Sequence, residues 1–337
     1  MFRRILVPLD GSSLAEKALP FAAHLAQVSG GTIILAHVSN LAIEYGPYLA
    51  QPFVYTESTL EIDIASAQSY LDGVAHSPLL RGMMVQREAI SGEVAQSILN
   101  LTQSTSADLI VMCSHGRTGF TRWAMGSIAQ KVAQYSVKPV FIVRSDDTTE
   151  LADAVRTHAH PIRVLVGLDG SPLAETALLP AAQLCAALND AGKGMLHLLR
   201  VVHLLEETRD ENSVIIQDMN EQKVKNARAY LHQIEQRVHT GNLATFGLTV
   251  NSSIVSGSDA ANILVRDAEA GESCDDNKKY DGCDIIALAT HGYGGLQRWV
   301  MGSVVERVLG STKLPTLVVR STEIESYRHQ PREQVAY

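Results

Sequence analysis

Aromatic residues make up only 5% of this 337-residue chain, and its four cysteines, Cys113, Cys185, Cys274 and Cys283, form no CxxC pair. Cysteines so scattered exclude a zinc ribbon and a disulfide framework and suit a reducing compartment. No run of about 18 uncharged apolar residues is present. Pro8 and Asp10 interrupt the first apolar stretch before a signal-peptide core could form, so a soluble, cytoplasmic protein without membrane contact is expected. Positive charge is also short. The 28 Lys and Arg face 36 Asp and Glu, and the resulting −8 repels a phosphate backbone and argues against a nucleic-acid partner. Several nucleotide loops are missing as well. There is no GxxxxGK(S/T), no GxGxxG after the first apolar run, and neither the SGGxDS loop nor the HIGH-type motif of enzymes that split ATP between its α and β phosphates.

What is present is a repeat. Residues 4–10, RILVPLD, match 163–169, RVLVGLD, at five of seven positions, and both run on into Gly-Ser and a Leu-Ala-Glu stretch. Residues 115–127, HGRTGFTRWAMGS, match 291–303, HGYGGLQRWVMGS, at eight of thirteen; unrelated segments would share roughly one. The offset grows from 159 between Asp10 and Asp169 to 176 between His115 and His291, which places net insertions in the second copy, the polar run 271–282 among them. The expected organisation is a first domain over 1–146, a polar linker over 147–160, a second domain over 161–322 and a polar tail over 323–337.

Within each copy, short Ile, Leu and Val runs alternate with helical segments. The first copy reads as strands at 4–10, 32–39, 83–90, 108–114 and 139–144, with helices after Ser12, over 57–75, after Ser91-Gly92 and over 127–136. The second repeats this with strands at 163–169, 196–203, 248–255, 284–290 and 315–320 and a helix near 217–239. Ser171-Pro172 is an N-cap and first-turn pair, and the aligned Ser12 is expected to cap the same helix in copy one. The fold class is therefore α/β: two repeated domains, each an open five-stranded parallel sheet with helices on both faces.

In such sheets ligands bind beyond the carboxyl ends of the strands. Two features fall there. One is the acid closing the first strand, Asp10 and its twin Asp169. The other is the loop after the fourth strand, where Gly116 and Gly119 lead to Gly126-Ser127, and Gly292 and Gly295 to Gly302-Ser303. Glycines admit a ligand close to the backbone, and Gly-Ser opening a helix offers amides, a hydroxyl and the positive end of the helix dipole. That suits a phosphate chain, while the carboxylate suits ribose hydroxyls or an adenine amino group. The constellation points to a nucleotide.

On these motifs the chain resembles a tandem universal stress protein, two domains of the UspA family, with a Rossmann-like fold akin to the adenine nucleotide alpha hydrolases. ATP-binding members carry Gly-x2-Gly-x9-Gly-(Ser/Thr). Copy one supplies Gly116, Gly126 and Ser127 with Cys113 at the first glycine, and copy two supplies Gly292, Gly302 and Ser303 with Ala289 there. A backbone angle open only to glycine at Cys113 or Ala289 would rule the site out. The resemblance implies that Asp10 and Asp169 contact adenine and ribose, that Val38 and Val201 flank the base, and that Met112 and Leu288 lie under it. Cys113 and Ala289 would sit near the ribose, and Pro8 in the family's Pro-x-Asp, a position held by Gly167 in copy two. Phosphates would be held by Gly116, Gly126, Ser127 and Ile128, and by Gly292, Gly302, Ser303 and Val304. The implied ligand is ATP, or AMP or ADP, with Mg²⁺ as its companion.

Other residues have plainer readings. His115 and His291 are expected to fix loop hydrogen bonds, since no carboxylate is placed by sequence to complete a triad. Trp123 and Trp299 read as packing residues, and Arg122 and Arg298 as solvated or ion-paired side chains. Cys274, Asp275, Asp276 and Cys283 lack a ligand spacing for metal. Cys113, if exposed, would be a redox-sensitive thiol at the site. No catalytic residue is assigned, so turnover is expected to be at most slow ATP hydrolysis or autophosphorylation. The fifth strands are edge candidates; in the family that the chain resembles such strands pair across a dimer, which implies that the two copies pair with one another as an internal pseudo-dimer, with a further homodimer and protein partners left open. The alternative function is a scaffold that binds partners and no nucleotide.

Overall fold

The computed structural model describes residues 1–39, 57–115, 125–144, 148–190, 192–206, 213–271, 282–290 and 301–320. Gly116, Gly119, Arg122, Trp123, Cys274, Asp275, Asp276, His291, Gly292, Gly295, Arg298 and Trp299 lie outside these.

The first copy supplies strands β1 (Arg4–Leu9), β2 (Thr32–Ser39), β3 (Met84–Ser91), β4 (Leu109–Cys113) and β5 (Val140–Val143). The second supplies β6 (Arg163–Leu168), β7 (Met195–Val202), β8 (Thr249–Ser256), β9 (Ile285–Ala289) and β10 (Thr316–Val319). They form one ten-stranded sheet, ordered β3-β2-β1-β4-β5-β10-β9-β6-β7-β8. All pairs within a copy are parallel; the central pair, β5 with β10, is antiparallel, with Phe141 opposite Leu317. Two parallel five-stranded sheets thus fuse edge to edge, and each covers the edge the other would expose.

Strands β1, β4 and β9 are almost entirely buried, as runs of apolar residues covered by helices on both faces require. Strand alternation sorts their side chains between two cores. On one face Ile5, Val7, Ile33 and Leu35 pack with α1 (Leu19–Ser29) and α2 (Glu57–Ala75). On the other, Leu6, Ile34, Ile110 and Met112 pack with α3 (Val94–Ser104) and α4 (Ser127–Tyr135).

The span 147–160 is not the plain polar linker expected. It holds a helix, α5 (Thr148–Thr157), whose Leu151, Ala154 and Val155 recur at helical spacing and are buried beside α1. In the second copy α6 (Leu178–Ala187), α7 (Ser213–Thr240), α8 (Ala260–Ala270) and α9 (Ser303–Ser311) follow the same plan. The helix after Ser91-Gly92 begins at Val94, because the Glu93 carboxylate caps it by accepting from Gln96 N at 2.6 Å. Asp259 does the same for α8 by accepting from Asn262 N at 3.1 Å. Ser12 Oγ accepts from Ala15 N and Ser171 Oγ from Ala174 N, each at 3.1 Å; Ser171 is thereby the expected N-cap of a short helix over Pro172–Glu175, whereas Ser12 precedes a 3-10 turn over Ala15–Ala18 that has Leu14 as its N-cap.

Candidate functional site

Strand order reverses between β1 and β4 and again between β6 and β9, so each half has a switch-point crevice at its strand tips. Asp10 and Cys113 stand at the first crevice, Asp169 and Ala289 at the second. The loop after β1 is shaped locally. Asp10 Oδ1 accepts from Ser12 N at 3.0 Å and from Ser12 Oγ at 2.6 Å, and Asp169 Oδ1 accepts from Ser171 N at 2.9 Å. Gly11 and Gly170 between them have φ of +83° and +85°, which only glycine adopts without strain. Turn chemistry therefore engages one oxygen of each carboxylate.

The helix that faces each crevice is held close to its strand. Gly126 N donates to Ser114 O at 2.9 Å and Gly302 N to Thr290 O at 2.8 Å. A Cβ at either glycine would lie 2.8 Å from that same carbonyl oxygen. These two glycines are thus required by backbone packing whether or not a ligand is present. Gly126 and Gly302 cap α4 and α9 without a side-chain hydrogen bond, so the cap residue itself leaves the first-turn amides, those of Ser127 and Ile128 and of Ser303 and Val304, unengaged.

Val38, Met112 and Ile128 belong to one apolar cluster on the α3 and α4 face, and alternation puts Pro8 on the side of Leu6 in that cluster. Val201 and Leu288 take the same places in the second half, whereas Val304 is exposed. Gly167, in place of Pro8, leaves no hole: a Cβ there would lie 2.5 Å from Leu288 Cδ2 and 3.1 Å from Leu264 Cδ2. Cys113 and Ala289 end their strands without a positive φ, so neither position demands glycine. Cys113 is buried, and burial raises the pKa of its thiol, so the exposure on which a redox role depended is not met. His115 is also buried, with Nδ1 3.0 Å from Ser114 Oγ, a loop contact of the kind expected.

Sequence reasoning missed a second repeated cluster on the opposite face. Tyr70 donates to Glu16 Oε1 at 2.9 Å and lies edge-on to His37 at 5.8 Å. Its pKa is raised, by burial first and then by Glu16 and Asp10. In the second half Tyr230 sits with Glu175 and Asp169 near it, its pKa raised for the same leading reason, and Arg200 lies over its ring at 4.9 Å. Arg200 also packs on Gly170. Aligning Glu16-Lys17-Ala18-Leu19 with Glu175-Thr176-Ala177-Leu178, and Tyr70-Leu71 with Tyr230-Leu231, would have found the pair. A groove of about 370 Å³ between α1 and α5, lined by Phe21, His24, Met83 and Val155, includes none of the expected site residues.

A repeated α/β chain with a polar crevice at each of two switch points is the class these features define. The model of the universal stress protein family matches residues 1–144 and 162–320. The chain belongs to that family. A universal stress protein of Mycolicibacterium smegmatis is 26% identical over 322 residues, covering 94% of this chain and 96% of that one. YxiE of Bacillus subtilis is 31% identical over 159 residues, 43% of this chain and the whole of that protein. A crystal structure of a universal stress protein from Archaeoglobus fulgidus covers 94% of this chain and 98% of its own, at 19% identity and a TM-score of 0.62. Another similar structure is a universal stress protein in complex with cAMP, 18% identical over 43% of this chain with a TM-score of 0.30. No helix among the described residues is long and apolar enough to cross a membrane.

Proposed function

We propose that each half of the chain binds one adenine nucleotide, ATP in the first instance, and that the protein acts in stress response as a nucleotide-dependent sensor or regulator in the cytoplasm. The observation that carries this is the repeated crevice. In both halves a strand-end carboxylate, an apolar floor and the first turn of a helix begun at Gly-Ser stand at the same switch point. In the first, Val38 and Met112 would bound the base, Asp10 would accept from ribose or adenine, and the first-turn amides with Ser127 would hold phosphate. Val201, Leu288, Asp169 and Ser303 would do so in the second, with Gly116 and Gly292 completing the loops. Among the described residues no group of three or more His, Cys, Asp or Glu is placed to hold a metal ion, so Mg²⁺ would enter on the phosphates. The domain division at 147–160 is proposed on the repeat, with α5 as the connecting helix.

The scaffold reading is favoured by one observation: Gly126 and Gly302 have a steric reason that needs no ligand. Heat release of bound nucleotide separates the two. Two equivalents per chain are expected, falling to one in Asp10→Ala. A nucleotide-free protein whose melting is unmoved by millimolar MgATP would establish the scaffold, because a ligand at 100 times its Kd stabilises by about 2.7 kcal/mol.

A further inference from the structure

We infer that the two candidate nucleotide sites are energetically coupled through the central β5–β10 seam, an inference that rests on the nucleotide reading above. The contacts form a closed circuit. Gly126 N donates to Ser114 O, and Ser114 N donates to Val143 O at 2.8 Å. The next residue, Arg144, crosses the seam, and its Nη2 donates to Leu309 O in the last turn of α9. That helix begins at Ser303, directly after Gly302. Gly302 N donates to Thr290 O, and Thr290 N donates to Val319 O at 2.8 Å. The next residue, Arg320, crosses back, its Nη1 donating to Tyr135 O at 3.1 Å, and Tyr135 ends α4, the helix that begins at Ser127.

Each of the two helices thus has a candidate phosphate position at its N-terminus and an arginine from the other half at its C-terminus. An anion at one end and a cation at the other both act along one helix dipole. A phosphate that shifts α4 along its axis changes the Arg320 contact, and with it the strand end that carries Thr290; the path from α9 through Arg144 runs the other way. Arg144 is only 7% exposed, so its side of the circuit is less screened than that of Arg320. Both bridges contribute, the Arg144 bridge more.

Contiguity is not itself coupling, so the test is a thermodynamic cycle on the full chain. A fluorescent ATP analogue is titrated into the parent, Asp10→Ala and Asp169→Ala, and into the same three chains carrying Arg144→Met and Arg320→Met. Blocking site one is expected to change the affinity of site two by about fivefold or more, and blocking site two to change site one by the same factor. Without the arginines the factor should fall below about twofold. Arg320→Met alone, at the more exposed bridge, is read separately in case the Arg144 variant does not fold, and should already shrink the factor. Two sites that bind with affinities indifferent to each other's blockade overturn the coupling and leave the nucleotide reading standing. A factor that survives loss of Arg320, or of both arginines, also overturns it. A parent that binds no nucleotide overturns the nucleotide reading, and the coupling with it.

Discussion

A single methyl group is enough to test the site at the scale of one residue. A Cβ on Gly126 would lie 2.8 Å from a main-chain oxygen, which cannot swing aside as a side chain can. Gly126→Val is expected to cost about 1–3 kcal/mol in urea unfolding and to lower nucleotide content from two equivalents to one. An unchanged midpoint would show that the loop relaxes freely. Cys113 makes the opposite point. Burial keeps its thiol protonated, so a maleimide applied to the folded protein should leave the Cys113 peptide unmodified in mass spectra and label it after denaturation. Rapid labelling in the native state would contradict the burial. Glycine, serine and strand-end aspartate were legible in the sequence because each performs a backbone task that few residues can do. Tyr70 and Glu16 were not, since a tyrosine on a helix and a glutamate in a first turn look like ordinary packing and capping until the fold brings them together.

At the scale of elements, the strands were read correctly to within a residue or two because buried parallel strands are short, apolar and bounded by turns. The helix over Thr148–Thr157 was hidden by composition: its apolar residues are few, and only their spacing reveals a buried face. The two copies also differ inside the sheet. Ile34 and Leu101 of the first half correspond to His197 and Asp267 of the second, both almost fully buried between β7 and α8. His197 Nε2 lies 2.8 Å from Ser253 Oγ and 3.6 Å from Asp267 Oδ2. Removing one member of such a pair strands the other, whereas replacing both with apolar residues does not. Asp267→Leu should therefore cost about 1–3 kcal/mol, the penalty of a buried polar group that loses a neighbour, and the double variant His197→Ile with Asp267→Leu should recover that loss or exceed the parent. Urea unfolding decides it, and a single variant as stable as the parent would show that the pair carries no such strain.

For the whole molecule, the seam is reinforced by helices as well as strands. α1 packs on α6 of the other half, where His24 Nε2 meets Ala187 O at 3.1 Å. Burial is the largest influence on His24 and holds its pKa below the usual 6.5. The unfolded chain then takes up more protons than the folded one once the pH drops under about 6.5, so stability is complete above that value and declines in acid. His158 beside it opposes protonation and Asp190 favours it, but both are weaker than burial. Unfolding midpoints at pH 7.5 and 5.5 should separate clearly in the parent and less in His24→Gln. Equal losses in both would place the acid sensitivity elsewhere.

The antiparallel pairing of β5 with β10 has a consequence for dilution. A universal stress protein with one unit per chain can join such edges only by finding a second molecule, and its partnership dissolves as concentration falls. Here the partner is tethered by α5, so the ratio of the two crevices stays one to one at any abundance. The halves are also freed from symmetry. Arg200 stands where the first half has His37, and His197 where it has Ile34, differences that no pair of identical chains can carry.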